Sequence, residues 1–134
     1  MKWKLLFTLL TVFLLKGSAN VFAQSDPKLA GKWQLLVKSD TEKDGPIVVS
    51  SKNQSYKTGE KSYEFTATSV IINESGKQAK TITASYGNGT ITIDKDTYNY
   101  SFDGNKLLLS QSETKNKKGK SILETEEYLF QKLE

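Results

Sequence analysis

Hydrophobic and polar residues alternate most regularly between residues 84 and 111, where three turn sequences divide the chain. Asn88-Gly89, Lys95-Asp96 and Gly104-Asn105 are each typical of a two-residue hairpin loop. These loops place large apolar residues opposite one another: Tyr86 and Ile91, Ala84 and Ile93, Ile93 and Tyr98, Ile91 and Tyr100, Tyr100 and Leu109, and Phe102 and Leu107. Directly opposed residues share a sheet face, so the three hairpins agree on a four-stranded antiparallel meander with one apolar face.

Two further hairpins follow from the same alternation. A two-residue loop at Ser75-Gly76 turns Ile71 inward, whereas a three-residue loop with a glycine bulge turns Val70 and Ile72 inward. We favour the second loop, because it buries two large residues and sets Val70 opposite Ile82. Near the end of the chain, pairing Thr114 with Ser121 sets three more pairs opposite one another: Leu107 and Tyr128, Leu109 and Glu126, and Gln111 and Glu124.

Eight strands are predicted, at residues 31–38, 62–66, 69–73, 78–86, 90–94, 97–103, 106–113 and 121–132. With eight alternating strands the first and the last are antiparallel and can pair, which closes the sheet and removes its exposed edges. The polar segment 39–61 is expected to be a long loop, and Ile47–Val49 is kept within it because a ninth strand would set the end strands parallel. The predicted fold class is therefore all-β, a closed eight-stranded antiparallel up-and-down barrel.

The first 23 residues have the pattern of a secretory signal peptide. Two lysines within Met1–Lys4 precede the uncharged run Leu5–Leu15, and the segment ends in Val21-Phe22-Ala23. The uncharged run is eleven residues long, which is too short for a transmembrane helix. We therefore expect cleavage near Ala23-Gln24, one domain over residues 24–134, and a secreted or periplasmic location.

Composition narrows the classes of function. Removing Lys2, Lys4 and Lys16 with the signal peptide reduces the 19 cationic residues to 16, against 15 acidic ones, so the net charge of +1 gives no reason to expect nucleic-acid binding. The sequence has no His, Cys or Arg, which excludes thiolate or Ser–His catalysis, ordinary zinc and copper sites and arginine clamps. Adjacent carboxylates at Glu124 and Glu126 do not give the spacing of two-carboxylate catalysis. No catalytic residue, metal or cofactor is predicted, and the chain is not expected to be an enzyme.

The direction of each strand assigns its loops to one of two ends of the barrel. Trp33, Tyr86, Phe102, Leu107 and Phe130 cluster at the end that carries the termini of the mature chain, and they are expected to plug it. At the other end the predicted ligand-binding residues are Val37, Ile82, Ile93, Tyr98, Tyr100, Gln111, Glu124 and Glu126. An apolar cup with a few polar groups at its mouth is the usual layout of a small-ligand site. A barrel of this size can also be filled by its own side chains, and both alternatives stay open.

The segment Leu29–Leu35 carries the motif L-x-G-x-W-x-L at the start of the first strand. In an exported, all-antiparallel chain of this size, the motif resembles the opening of the small lipocalin-like domains of bacterial secreted proteins, within the lipocalin superfamily. The resemblance covers the whole mature chain in layout, but only Gly31 and Trp33 in specific motif, and the family's T-D-Y-type motif has no good copy here. It implies a basic residue near the chain end that lies over the tryptophan, and Lys132 is the only candidate.

The resulting hypothesis is an exported, monomeric, lipocalin-like protein that holds a small, mostly apolar molecule non-covalently inside the barrel, with segment 39–61 as a lid. The alternative is a filled barrel that acts as a protein-interaction or inhibitor module through its loops or its threonine-rich outer face. Neither a nucleic-acid partner nor a membrane span is expected.

Overall fold

The computed structural model describes residues 26–133, which form β-strands joined by turns, with no helix in that range. The strands are β1 (Gly31–Asp44), β2 (Ile47–Ser55), β3 (Lys61–Phe65), β4 (Ser69–Glu74), β5 (Lys80–Gly87), β6 (Thr90–Ile93), β7 (Asp96–Asp103), β8 (Lys106–Lys117) and β9 (Lys120–Lys132). Within the described range there is accordingly no helical segment that could cross a membrane. The signal peptide predicted for the first 23 residues lies outside the described residues.

Eight of these strands form a closed antiparallel barrel, which confirms the predicted fold class. On one side β1 pairs with β9, from Trp33 to Lys43. On the other side Gly31–Gln34 of β1 pairs with β3. From β3 to β9 each strand pairs with the next, so the first and last strands close the ring. Closure satisfies the backbone hydrogen-bonding groups that an open sheet would leave at its edges.

The prediction that residues 39–61 form a loop is wrong, because β1 continues to Asp44 and β2 returns beside it. β3 pairs only with Gly31–Gln34, so the second half of β1 has a free edge, and β2 occupies it from Val37 onward. The turn between the two strands contains Gly45 at a φ of 62°. β2 lies outside the ring, so the ring still has eight strands. Its first and last strands, β1 and β9, therefore remain antiparallel and pair with each other.

Together with β2, the distal parts of β1, β9 and β8 form a four-stranded sheet that projects beyond the ring, which we call the extension. Its strand order is β2-β1-β9-β8. β8 and β9 stay paired out to Lys117 and Lys120. Among the described residues β2 has no strand on its outer side, and its apolar residues Ile47, Val48 and Val49 are exposed.

Three hairpins have the predicted register. In the β4–β5, β5–β6 and β7–β8 hairpins the opposed residues are, as predicted, Val70 and Ile82, Ala84 and Ile93, Tyr86 and Ile91, Tyr100 and Leu109, and Phe102 and Leu107. The register of the glycine-bulge alternative, with Val70 and Ile72 facing inward, is therefore correct, although residues 75–79 lie outside the two strands. Gly76 in this turn has a φ of 80°.

Two hairpins differ from the prediction by two residues. The β6–β7 loop is Asp94-Lys95, with Asp94 at a φ of 61°, so Ile91 lies opposite Tyr98 and not Tyr100. In the β8–β9 hairpin the loop is Lys118-Gly119, which shifts every predicted pair: Leu107 faces Phe130, Leu109 faces Tyr128, and Gln111 faces Glu126. A shift of two residues keeps each side chain on its predicted face of the sheet.

The end of the barrel near the start of β1 is filled by side chains, as predicted. Trp33, Tyr86, Leu107 and Phe130 are buried there. The rings of Trp33 and Phe102 lie 6.0 Å apart between centroids. We call this end, which the buried side chains fill, the closed end.

A turn that precedes β1 covers the closed end. Leu29 in this turn is buried, and its carbonyl oxygen accepts a hydrogen bond of 2.9 Å from the indole N–H of Trp33. The Nζ of Lys132 lies 4.7 Å from the centroid of the Trp33 ring. The same ammonium donates a 2.7 Å hydrogen bond to the carbonyl oxygen of Ala30. Lys132 thus occupies the position that the sequence analysis expects of a basic residue.

Candidate functional site

A cavity of about 220 Å³ lies at the opposite end of the barrel, which we call the open end. Most of its wall is apolar or aromatic, and its residues come from seven strands, β3 to β9, and the β6–β7 turn: Tyr63, Ile72, Ile82, Ile93, Asp94, Asp96, Tyr98, Leu109 and Tyr128. The alternation of each strand turns these side chains toward the axis, because they share a face with the buried residues two positions away. The barrel is therefore filled at one end and hollow at the other.

Three tyrosines form one side of the cavity. The ring centroids of Tyr98 and Tyr128 lie 5.7 Å apart in an edge-to-face arrangement, and those of Tyr63 and Tyr128 lie 6.4 Å apart. Tilted and edge-to-face contacts of this kind are the preferred arrangements of aromatic pairs.

The hydroxyl of Tyr63 faces the hollow part of the barrel. Only 8% of the residue is exposed, and it forms no side-chain hydrogen bond with another described residue. Every completely buried side-chain nitrogen or oxygen in the described range has a hydrogen-bond partner. Because the Tyr63 hydroxyl has none, it is not completely buried and must reach open space. The space that Tyr63 lines is the cavity.

A second concave region, of about 350 Å³, lies on the extension, and we call it the groove. Its lining residues are mostly polar: Asp40, Thr41, Glu42, Ser50, Lys52, Gln111, Glu113, Lys115, Glu124, Thr125 and Glu126. Five of these are carboxylates and two are lysines, so the groove is acidic.

Glu124 is the most strongly perturbed acid of the groove. Lys117 and Lys115 hold its carboxylate at 2.9 and 3.0 Å, and Lys117 also reaches Glu42 at 2.9 Å. Hydrogen bonds from Lys117 and then Lys115 lower the pKa of Glu124 to about 2. These ion pairs link side chains of three neighbouring strands of the extension, β1, β9 and β8.

Glu126 joins the groove to the cavity. Its Oε1 accepts hydrogen bonds from the amide of Gln111 at 3.1 Å and from the hydroxyl of Tyr98 at 3.4 Å. Its Oε2 pairs with the Nζ of Lys38 at 3.4 Å, and this ammonium lies 5.5 Å from the centroid of the Tyr128 ring. A polar molecule in the groove and an apolar one in the cavity would therefore meet at this carboxylate.

Six of the eight predicted site residues line one of the two regions. Ile82, Ile93 and Tyr98 line the cavity, and Gln111, Glu124 and Glu126 line the groove. The structure thus divides the predicted cup into an apolar part inside the barrel and a polar part on the extension.

Tyr100 and Val37 lie elsewhere. The register shift places Tyr100 beside Gly89 at the closed end, where its hydroxyl donates a 2.9 Å hydrogen bond to Asp26. Between Leu35 and Val37 the register with β9 shifts by one residue, so Val37 lies opposite Leu129 and points out of the barrel. The prediction that Val37 points inward is wrong for this reason.

The sequence analysis missed several residues of the cavity wall. Tyr63 and Ile72 belong to β3 and β4, which are short, and the structure pairs them directly. Tyr128 was placed on the correct face but opposite Leu107, which is deeper in the barrel than its true partner Leu109. The signal that would have found Tyr63 is its alternation with Phe65, because residues two apart in a strand lie on the same face.

Burial keeps the cavity tyrosines protonated. Desolvation, followed by the charge of Glu126, raises the pKa of Tyr98 to about 12. Desolvation also raises the pKa values of Tyr63 and Tyr128 well above their usual range. At the closed end, desolvation raises the pKa of Tyr86 and of Tyr100 to about 12.

These pKa values predict that the protein loses stability in alkali. Above the ordinary tyrosine pKa of 10.0 the unfolded chain ionises before the folded one, so the free energy of unfolding falls as the pH rises through 10.0 toward 12. Urea unfolding followed across this range measures the fall, and in Tyr98→Phe the slope with pH should be smaller. Tyrosinate absorbance from these residues near pH 10.0 in the folded protein would contradict the prediction.

The fold and the site define the class as a closed eight-stranded antiparallel barrel with one extra strand and an apolar cavity at its open end. No protein-family model, curated protein or solved structure matches this chain. Among residues 26–133 no group of three or more acidic side chains is arranged to hold a metal ion. The functional argument therefore depends on the geometry of the cavity and the groove.

Proposed function

We propose that the protein binds a small, mostly apolar molecule non-covalently in the cavity. The observation that carries the proposal is a hollow of about 220 Å³, walled by three isoleucines, a leucine and three tyrosines, in a barrel whose other end is filled. Apolar walls with a few convergent polar groups are typical of small-ligand sites. The volume is below the range of about 300–1,000 Å³ for drug-sized ligands, so the ligand or its buried part is small.

The resemblance to lipocalin-like domains supports the same function. Its motif, Gly31-Lys32-Trp33, begins β1, and Trp33 is buried at the closed end with Lys132 over its ring. We propose that the protein is an exported, monomeric binding protein of this kind. Export depends on the signal-like first 23 residues, and cleavage near Ala23 in the secreted protein would be seen by mass spectrometry.

Calorimetric titration with n-octanol tests the proposal. We expect saturable binding to the purified protein, and we expect Ile82→Phe to weaken it by about tenfold or more because the larger ring occupies the cavity. The matched control is Ile71→Phe, since Ile71 is also half-buried on the same hairpin but points out of the barrel. A cooperative thermal unfolding transition is the check that each variant is folded.

Two results would contradict the proposal. One is the absence of saturable binding of n-octanol to the folded protein. The other is equal weakening by Ile82→Phe and Ile71→Phe, which would place the ligand outside the cavity.

One observation favours the alternative function, a protein-interaction module. The outer edge of β2 leaves nine residues, Ile47–Ser55, without a partner strand among the described residues, and Ile47 is 63% exposed. An extended segment of a partner protein can add to such an edge through backbone hydrogen bonds. Failure of this protein to bind any apolar ligand would favour this alternative.

A further inference from the structure

We propose that the ligand of the cavity carries a positively charged amine, so that the site prefers an apolar cation to a carboxylate of the same chain length. The inference rests on the proposed function, because it names the chemical class of ligand for the same cavity. It is carried by a juxtaposition at the open end, where an apolar cavity, acidic side chains and an unpaired tyrosine hydroxyl meet.

Two aspartates lie at the mouth of the cavity. Asp94 and Asp96 flank the β6–β7 turn, and both line the cavity. Asp96 lies opposite Ile93, so it projects from the same face as the cavity wall. Neither aspartate is in an ion pair with a described lysine, whereas Glu124 and Glu126 of the groove are. Their charge is therefore available to a ligand.

The Tyr63 hydroxyl supplies the second feature. The residue Tyr63 is only 8% exposed and lines the cavity, and its hydroxyl has no hydrogen-bond partner among the described residues. Because this hydroxyl opens onto the cavity, its hydrogen-bond partner must be a water molecule or a ligand that occupies the cavity. An ammonium group is a donor only, and the hydroxyl oxygen can accept one of its hydrogens.

Carboxylates are the charged groups that raise the pKa values of the cavity tyrosines Tyr63 and Tyr98. After desolvation, Glu126 and Asp96 are the charged groups that raise the pKa of Tyr98. Glu126 and Glu74 have the same effect on the pKa of Tyr63, after desolvation and the neighbouring tyrosines. Glu126 is paired with Lys38, and Glu74 with Lys61 and Lys77. Asp94 and Asp96 are in no ion pair with a described lysine, so they are the carboxylates that favour a cation over an anion in the cavity.

The protein already holds an ammonium in this way at the edge of the cavity. The Nζ of Lys38 lies 3.4 Å from the carboxylate of Glu126 and 5.5 Å from the ring centroid of Tyr128. A carboxylate and an aromatic face are together a favourable environment for a cation. A ligand ammonium beside Asp94 and Asp96 would use the same chemistry without displacing Lys38.

Titration with n-octylamine, n-octanol and n-octanoate at neutral pH tests the inference, since only the head group differs. We expect n-octylamine to bind roughly fivefold more tightly than n-octanol, the size of effect that partly exposed ion pairs give, and n-octanoate to bind most weakly. The preference for the amine should shrink as the salt concentration rises.

Variants assign the preference to the aspartates. A double variant with Asp94→Asn and Asp96→Asn should bind n-octylamine and n-octanol with nearly equal affinity. Its affinity for n-octanol should differ little from that of the unmodified protein. The control Asp103→Asn removes a carboxylate from the far end of the same strand and should keep the preference.

The outcomes separate this inference from the proposed function. Equal binding of the amine and the alcohol by the unmodified protein, or tighter binding of n-octanoate, would overturn the inference while leaving the binding function intact. Failure of all three compounds to bind would overturn both.

Discussion

Trp33→Ala is expected to lower the free energy of unfolding by about 3–5 kcal/mol, the range for truncating a core aromatic residue. Trp33 is only 2% exposed and forms the centre of the closed end, in contact with Phe102 and beneath Lys132. The substitution also leaves the carbonyl oxygen of Leu29 without its indole donor. Urea unfolding measures the change.

Two comparisons make this result specific. Trp33→Phe keeps an aromatic ring but loses the indole N–H, so it should cost less than Trp33→Ala. Ile47→Ala, at a residue that is 63% exposed, should change stability by no more than about 0.5 kcal/mol. A loss below about 1 kcal/mol for Trp33→Ala would show that the closed end does not depend on this residue.

Gln34→Leu is expected to have the second-largest effect, because Gln34 connects β1 to the segment between β2 and β3. The residue is only 4% exposed. Its Nε2 donates to the carbonyl oxygens of Leu35, Lys57 and Lys61 at 2.8, 3.1 and 3.1 Å, and its Oε1 accepts from the N–H of Gly59 at 2.8 Å. Leucine has a similar size but satisfies none of these groups.

The expected loss is about 2 kcal/mol or more, since each buried group left without a partner costs about 1–3 kcal/mol. Gln54→Leu is the matched control, because Gln54 is an exposed glutamine on β2 and should tolerate the same exchange. Amide hydrogen exchange offers a local measurement, and Gly59 should exchange faster in Gln34→Leu. Unchanged stability and unchanged exchange at Gly59 would contradict the role assigned to Gln34.

The sequence was sufficient to predict which side chains face the barrel axis in the meander. Strict alternation and turn sequences such as Asn88-Gly89 determine the face of each residue. They do not determine which of two candidate two-residue loops, one residue apart along the chain, forms the turn. For this reason Tyr100 was placed beside the cavity, although the β6–β7 register puts it at the closed end.

β2 was missed for two reasons: a ninth strand within the ring would set the end strands parallel, and both faces of β2 are exposed. A strand with one buried face alternates in polarity, whereas residues 50–55 are all polar and read as a loop. The inward prediction for Val37 failed for a different reason, since the one-residue register shift at Leu36 reverses the faces beyond it. Neither feature leaves a pattern in the apolar residues of a single sequence.

The division of the predicted cup into a cavity and a groove could not be foreseen either. It depends on how far β1, β8 and β9 continue beyond the ring, and their distal halves consist mainly of Lys, Glu, Ser and Thr. Ion pairs such as Lys117–Glu124 join side chains from different strands of these halves. Only the paired structure shows that Glu126 lies where the two regions meet.

The most direct test of the account is an isotope-filtered nuclear Overhauser experiment on the labelled protein with unlabelled n-octanol. The account predicts contacts from the alkyl protons of n-octanol to the methyl groups of Ile72, Ile82 and Ile93, which line the cavity together. Contacts confined to exposed residues such as Val48 and Leu123, with none to the three isoleucines, would contradict it.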